Sequence, residues 1–422
     1  MITELQLRYG FRLYPTPGQQ TALAQAFGCA RVVFNDAVQA RQDAHTQGLP
    51  APKAAELSKR LVTDAKRTPE RSWLSNVSAV VLQQSLRDAE TAFKNFFDSL
   101  SGKRKGRKMG APRFKTLRDR RQSIRFTTNA RWSITIGGKL RLPKIGDVAV
   151  KWSRELPSKP SSVTVIKDSA GRYFVSFVID TEPEPIGTDA PDVGIDLGLG
   201  HFVVLSDGTK ITAPKFLRKA ERKLKQAQQA LSRKEKGSRN RDKARLKVAR
   251  AHVRVADARR DFHHQLSTRL IRENQAIAVE DLAVNGLART RLAKSVHDAG
   301  WSAFVAMLEY KAALYGRRVV RIGRFEPTSR VCSNCGVKAG RKPLHVRVWQ
   351  CQACGLWLDR DINAAVNVAK AAGLVVTACG ALVRPPTHAG ARSGEAGTHR
   401  GDLSSAEPRA DRRGKNHWDS PW

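Results

Sequence analysis

The chain reads as a multidomain α+β protein: an N-terminal helical lobe, a small β-barrel, an α/β unit interrupted by a cysteine ribbon, and a disordered C-terminal tail. Three observations predict this. Apolar residues recur at helical spacing from about Gln19 to Leu100, and short alternating runs with glycine turns follow between Ser123 and Ile179. Beyond them, two Cys-x2-Cys knuckles come after two apolar strands that each end in a carboxylate. With 422 residues and 41% hydrophobic content, there is room for two to four domains with sizeable cores.

Charge narrows the partner. Lys and Arg number 75 against 38 Asp and Glu, a formal net charge of +37, which calls for a polyanion. The basic residues are spread through folded-looking segments, and no apolar run approaches the roughly 20 residues needed to span a bilayer, so nucleic acid is favoured over a membrane surface. The opening stretch MITELQLRYGFRLYP alternates apolar and polar residues and lacks the features of a signal peptide. A cytoplasmic protein acting at the nucleoid is the expectation.

Leu5–Leu13 alternates as a strand and stops at Tyr14-Pro15-Thr16-Pro17, where Thr16 or Pro17 can open a helix. Leu23, Phe27, Val32, Phe34 and Val38, then Val77, Val80, Val81, Leu86, Phe93, Phe96 and Phe97, supply the helical pattern. The loop Ser101–Lys115 joins glycines to dense positive charge; Lys103, Arg104, Lys105 and Arg107 can lie on a phosphate backbone or simply be solvated. Strands are expected at Ser123–Thr127, Trp132–Ile136, Lys139–Leu142, Val148–Trp152, Ser162–Lys167 and Tyr173–Ile179, with hairpin turns at Gly137-Gly138 and Ala170-Gly171. A barrel or sandwich accommodates them, with Leu5–Leu13 as an extra strand.

TEPEPIGTDAPD marks a boundary near Pro185, and VGIDLGLGHFVVLSDG then reads as strand, turn and strand. Two amphipathic patterns follow, Leu217 to Leu231 and Ala244 to Leu266, with a turn at Gly237-Ser238. They predict an antiparallel helical hairpin with basic outer faces. From Arg384 the chain is rich in Gly, Pro, Ser and Arg without a period, the composition of a disordered tail.

Cys332-x2-Cys335 and Cys351-x2-Cys354 can close a tetrahedral thiolate site for one structural Zn²⁺, with no coordination position left for chemistry. Gly336 and Gly355 follow the knuckles, where they let the backbone turn its amides toward the sulfurs. Cys29 and Cys379 read as packed thiols.

Asp196 lies in Val193-Gly194-Ile195-Asp196-Leu197-Gly198, a short apolar strand with a glycine that leaves room beside the carboxylate. Glu280 ends Ala276-Ile277-Ala278-Val279, and alternation sends its neighbour Asp281 to the other face. Asp361 opens an alanine-rich helix directly after the ribbon. Singly, such residues are turn formers or caps. Together, in so basic a chain, they suggest a cluster relieved by two Mg²⁺ ions (or Mn²⁺ in their place) about 4 Å apart, which activate water against a phosphodiester. Asp196 would bridge, with Glu280 and Asp361 binding one ion each.

The order GIDLG, AVEDL, ribbon, DRDINAAVNVA resembles TnpB, the accessory protein of bacterial insertion sequences. Ala30–Asn35 (ARVVFN), Leu86–Phe97 (LRDAETAFKNFF) and Asp298–Gly316 (DAGWSAFVAMLEYKAALYG) add to the resemblance, which runs to about Ala372. TnpB proteins resemble compact ancestors of the single-effector CRISPR nucleases. The resemblance therefore implies an RNA-guided DNA endonuclease that takes its guide RNA from the transposon end and cuts double-stranded DNA beside a short flanking motif. A monomer is favoured.

By the same likeness, residues 1–14 would be the first strand of a wedge-like barrel, 15–104 a recognition lobe and 105–184 the barrel. Residues 185–330 and 357–380 would form a RuvC-like, RNase H-type nuclease domain, 331–356 the zinc ribbon and 381–422 the tail. Gln83 and Gln84 would be candidates for reading adenine in the motif, with Thr127 and Thr128 in a loop entering the barrel. A lysine that the family places shortly before Gln83 is Ala79 here. Two other readings stay open: an RNA-independent transposase or Holliday-junction-type nuclease, since the RNase H fold serves both, and a nuclease-dead regulator, against which all three carboxylates stand.

Overall fold

Thr16 starts the first helix by a reciprocal cap: its hydroxyl accepts from the Gln19 amide, and the Gln19 side chain accepts from the Thr16 amide at 3.0 Å. The computed structural model describes residues 5–117, 119, 121–187, 189–343 and 345–375. The expected tail and Cys379 lie outside the described residues. The chain divides into two units, the first running to Thr181 and including Arg245–Arg250, the second taking up Glu182–Ala244 and the described residues from Ala251 on.

In the first unit, β1 (Leu5–Tyr14) leads into α1 (Pro17–Thr46), followed by α2 (Ala54–Ser58) and α3 (Ala79–Leu100). Then come β2 (Gln122–Thr127), β3 (Ser133–Ile134), β4 (Leu140–Leu142), β5 (Gly146–Lys151), β6 (Ser162–Lys167) and β7 (Tyr173–Thr181). They form one antiparallel sheet in the order β2-β6-β7-β1-β5-β4-β3. The N-terminal strand thus sits at its centre, paired with β7 from Leu5 to Leu13. Gly138 (φ +68°) and Gly171 (φ +77°) occupy the left-handed positions of two of the turns.

One core joins helices and sheet: Leu23, Phe27 and Val33 from α1 and Val81 and Leu82 from α3 pack with Phe126, Val163, Val175 and Phe177. Cys29 is buried there, as a packed thiol should be.

The second unit opens with β8 (Val193–Leu197), β9 (His201–Leu205) and β10 (Lys210–Thr212). A helical pair follows, α4 (Phe216–Ser232) and the 35-residue α5 (Arg239–Glu273), with Gly237 in the turn and Ser238 capping α5. Beyond lie β11 (Ala276–Glu280), α6 (Val284–Leu287), α7 (Ala293–Ala299), α8 (Trp301–Leu314) and β12 (Arg318–Ile322). The two-stranded ribbon β13 (Val348–Gln350) and β14 (Trp357–Asp359) leads into α9 (Arg360–Ala371).

The five-stranded sheet runs β10-β9-β8-β11-β12, antiparallel from β10 to β8 and parallel from β8 to β12. Alternation sorts its faces. Ile195, Leu197, Ile277 and Val279 pack with Leu266 and Leu270 of α5 and Phe304 and Leu308 of α8. Ala276 and Ala278 pack with Val368 and Ala369 of α9 on the opposite face. No helix among the described residues is long and apolar enough to cross a membrane.

Candidate active site and cysteine ribbon

The face of the sheet under α9 carries the acids. Asp196 shares a side of β8 with Gly194, and Glu280 shares a side of β11 with Ala276 and Ala278. These small residues let α9 lie close: a β-carbon on Gly194 would come within 2.1 Å of the Ala365 carbonyl oxygen and 2.7 Å of the Ala369 nitrogen. Asp361 enters on the first turn of that helix. Asp359 sets the turn by accepting from the amides of Asp361 and Ile362 at 3.0 Å each, and Lys210 from β10 donates to the other Asp359 oxygen at 2.6 Å.

Burial, then the charges of Glu280 and Asp361, push the Asp196 carboxyl up to about 8, against the smaller opposing pull of Arg360 and Arg347. Asp361 accepts from Arg347 Nη1 at 3.0 and 3.3 Å, and His201 Nδ1 lies 3.9 Å from it. Glu280 accepts from the Thr328 hydroxyl at 2.6 Å. Asp281 turns away to pair with Arg324 at 2.6 Å and Arg321 at 3.8 Å.

In the ribbon, the four sulfurs of Cys332, Cys335, Cys351 and Cys354 lie within 4.8 Å of one another, a group able to hold a metal ion. Among the described residues no other set of three or more His, Cys, Asp or Glu side chains converges so closely. Asp196, Glu280 and Asp361 do not converge as the thiols do, although the charges of the last two reach Asp196.

Gly336 (φ +74°) and Gly355 (φ +73°) do close the knuckles, but their amides bond the carbonyls of Cys332 and Cys351 at 2.9 and 2.8 Å. The sulfurs instead receive the amides of Asn334 and Cys335, and of Ala353 and Cys354. The left-handed glycine folds the chain back onto its own carbonyl, which leaves the amides inside the knuckle facing the thiols.

The first-unit candidates separate. Gln83 is exposed, whereas Gln84, one residue on and about 100° around α3, is buried at 5% exposure. The two amides therefore do not form a joint reading surface. Thr127 ends β2 with its hydroxyl on Asn129, and Thr128 opens a short turn with its side chain exposed. Lys103, Arg104, Lys105 and Arg107 are all exposed.

Thr328 and Arg347 were not legible as site residues. A threonine in a loop and one arginine among 75 basic residues carry no periodic signal. The i, i+4 pair Asn363 and Asn367 could have been noticed, since that spacing aims two amides from one face of α9.

Three family models match. A "Probable transposase" model of the OrfB type from IS605 covers residues 176–291, and a "Cas12f1-like, TNB domain" covers 301–368. A "Helix-turn-helix domain" covers 1–49, where the described residues form a strand and one 30-residue helix.

A Streptomyces pristinaespiralis protein named "Putative RNA-guided DNA endonuclease" is 43% identical over 390 residues, 91% of this chain and 94% of that one. The Escherichia coli K12 protein named "Putative RNA-guided DNA endonuclease InsQ" is 31% identical over 89% of this chain and 94% of its own length. In fold, the chain is similar to the protein in the "Cryo-EM structure of the Cas12f1-sgRNA-target DNA complex", with a TM-score of 0.51 at 14% identity over 83% of each chain. With its motif order intact and two such relatives matched over nearly their whole length, the chain belongs to the TnpB family of insertion-sequence proteins.

Proposed function

We propose that this chain is an RNA-guided DNA endonuclease, directed by RNA from the end of its own mobile element to double-stranded DNA beside a short flanking motif. Asp196, Glu280 and Asp361 are its catalytic carboxylates. One observation carries the reading: strand alternation puts Asp196 and Glu280 on the sheet face that α9 crosses with Asp361, where the charges of Glu280 and Asp361 add to burial in raising Asp196.

The donor set fits hard divalent cations. Its ligands are carboxylate oxygens, and a bound cation relieves the repulsion that adds to burial in lifting Asp196. Asp196, Glu280 and Asp361 would hold Mg²⁺, which when bound supplies an activated water and stabilises charge on the leaving oxygen. The chain's own residues set the stage. Asp359 fixes the first turn of α9, Gly194 admits the helix, Thr328 donates to Glu280, and Arg347 donates to Asp361.

The strand order of the second unit supports assigning 185–330 and 357–380 to a RuvC-type, RNase H-like domain with the ribbon 331–356 inserted. Residues 15–104 then serve as recognition lobe, and the seven-stranded sheet as the wedge-like barrel of 1–14 and 105–184. The four thiolates hold one structural Zn²⁺. The basic loop and the high net charge suit a chain that grips RNA and DNA through their phosphates.

The test is purification from the host. A discrete RNA from the element's end should copurify and direct Mg²⁺-dependent cleavage of matching duplex DNA, and Asp196→Ala or Glu280→Gln should abolish cleavage without releasing RNA. Cleavage that proceeds equally without RNA would leave an RNA-independent transposase or junction nuclease instead.

A further inference from the structure

Around Glu280 lies a buried network that connects the acid to the ribbon. The Thr328 hydroxyl donates to Glu280 Oε1 at 2.6 Å, and the Thr328 carbonyl accepts from the side-chain amides of Asn367 at 2.8 Å and Asn363 at 3.4 Å. The same two amides reach the Val331 carbonyl at 2.7 and 2.8 Å. Asn363 Oδ1 in turn accepts from the Ser333 amide at 2.8 Å, and Lys370 donates to the Ser333 carbonyl.

Val331 and Ser333 flank Cys332. Thr328 and Ser333 are under a tenth exposed, and Asn363 is fully buried.

We propose that Thr328 is a positioning residue for the nuclease reaction: its hydroxyl fixes the Glu280 carboxylate, and Asn363 and Asn367, through the Thr328 carbonyl, tie the residue to the first knuckle of the ribbon and to the helix that carries Asp361. The proposal rests on the reading of Glu280 as a cation ligand. Glu280 stands at the end of β11 beside loop residues, with two free side-chain bonds beyond its β-carbon. A donor on Oε1 selects one orientation and leaves the other oxygen for a cation.

An aliphatic loop residue of the same shape would pack equally well but leave the carboxylate to swing. Because the loop hangs from Asn363 and Asn367, the ribbon contributes to catalysis by holding position 328. A buried hydrogen bond to a charged acceptor is stronger than one between neutral groups, so its loss should be visible in both cation affinity and rate.

The experiment compares Thr328→Val and Thr328→Ser in the full-length chain. Mn²⁺ binding is followed by titration of the protein alone, and single-turnover cleavage is measured on the protein carrying its copurified RNA. Thr328→Val should weaken Mn²⁺ binding and slow cleavage by about tenfold or more, with RNA affinity unchanged and the protein still folded; Thr328→Ser should restore both. If Thr328→Val binds Mn²⁺ and cleaves like the parent, or if Thr328→Ser is as impaired as Thr328→Val, the hydroxyl has no positioning role.

Should Thr328→Val fail to fold, Asn367→Ala provides the second arm. It loosens the loop from behind, and the proposal requires weaker Mn²⁺ binding there too; unaltered binding overturns it. Glu280→Gln separates the two readings. A Glu280→Gln protein that still cleaves removes the active-site reading itself, whereas an inactive one beside a fully active Thr328→Val removes only the role given to Thr328.

Discussion

Gly194 of β8 and Ala365 of α9 meet backbone to backbone, so closely that a β-carbon on the glycine would stand 2.1 Å from the alanine's carbonyl oxygen. No rotamer change relieves such a clash, because both partners are main chain. Gly194→Ala should therefore push α9 off the sheet, costing about 3 kcal/mol and lowering the melting temperature. Because Asp361 rides on that helix, cleavage should fall further than stability. Parent-like melting and cleavage would show that α9 can shift at no cost.

The ribbon should hold about one zinc ion per chain, measurable by elemental analysis after gel filtration. Cys351 is 2% exposed, and its sulfur lies 3.6 Å from that of Cys335. Cys351→Ser should lose the ion and loosen the Asn363 and Asn367 anchorage of the neighbouring loop. Cleavage should then fall with the zinc content. A folded, active protein without zinc would refute the structural role.

Gln83 and Gln84 are expected to behave differently. Gln83 is exposed, so Gln83→Ala should change stability by less than about 0.5 kcal/mol; if the residue reads the flanking motif, selection from a randomised library should show a relaxed preference. Gln84 is buried and lines a cavity with Phe27 and Ala30 of α1 and Val81 of α3, so Gln84→Ala should cost about 1 kcal/mol and leave motif preference alone. A motif change in Gln84→Ala without loss of stability would reverse the assignment.

The exposed loop bearing Lys103, Arg104, Lys105 and Arg107 can be tested through salt. Each phosphate contact contributes roughly 0.9 to the slope of log affinity against log salt. Replacing all four with alanine should flatten the slope for RNA or DNA by several such steps. An unchanged slope means that the loop is solvated in the complex.

Ser162–Lys167 alternates so cleanly that the strand coincides with β6, and the positive-φ turn at Gly171 fixes its hairpin. The strand β12, by contrast, is only five residues with arginine at positions 318 and 321. Its pairing with β11 supplies what its composition lacks. The three acids could be singled out by their place at strand ends and a helix start. What joins them could not: Gly194 matters because of a helix some 170 residues away, and Thr328 because of amides on that same helix. Contacts of that range leave no mark on local pattern.

Lys311 permits a test of the core that is independent of nucleic acid. Its ammonium is buried in the second unit, donating to the His264 carbonyl and Ser267 Oγ at 2.8 Å and to Thr268 Oγ1 at 2.6 Å. Burial, with a smaller push from Arg272, lowers it to about 7 from an ordinary 10.5. Between those values the unfolded chain keeps a proton that the folded chain has released. Unfolding then takes up a proton, and stability rises with pH. Below about 7 both states are charged, and the cost of burying the ammonium is constant. From pH 7 to 9 the gain is on the order of 2 kcal/mol, a few degrees in melting temperature. Lys311→Met should remove this slope whatever it does to absolute stability, because methionine does not titrate. The measurement is the difference between the two melting profiles across that window. Parallel profiles would mean that Lys311 stays charged in the fold, sustained by its three oxygen acceptors.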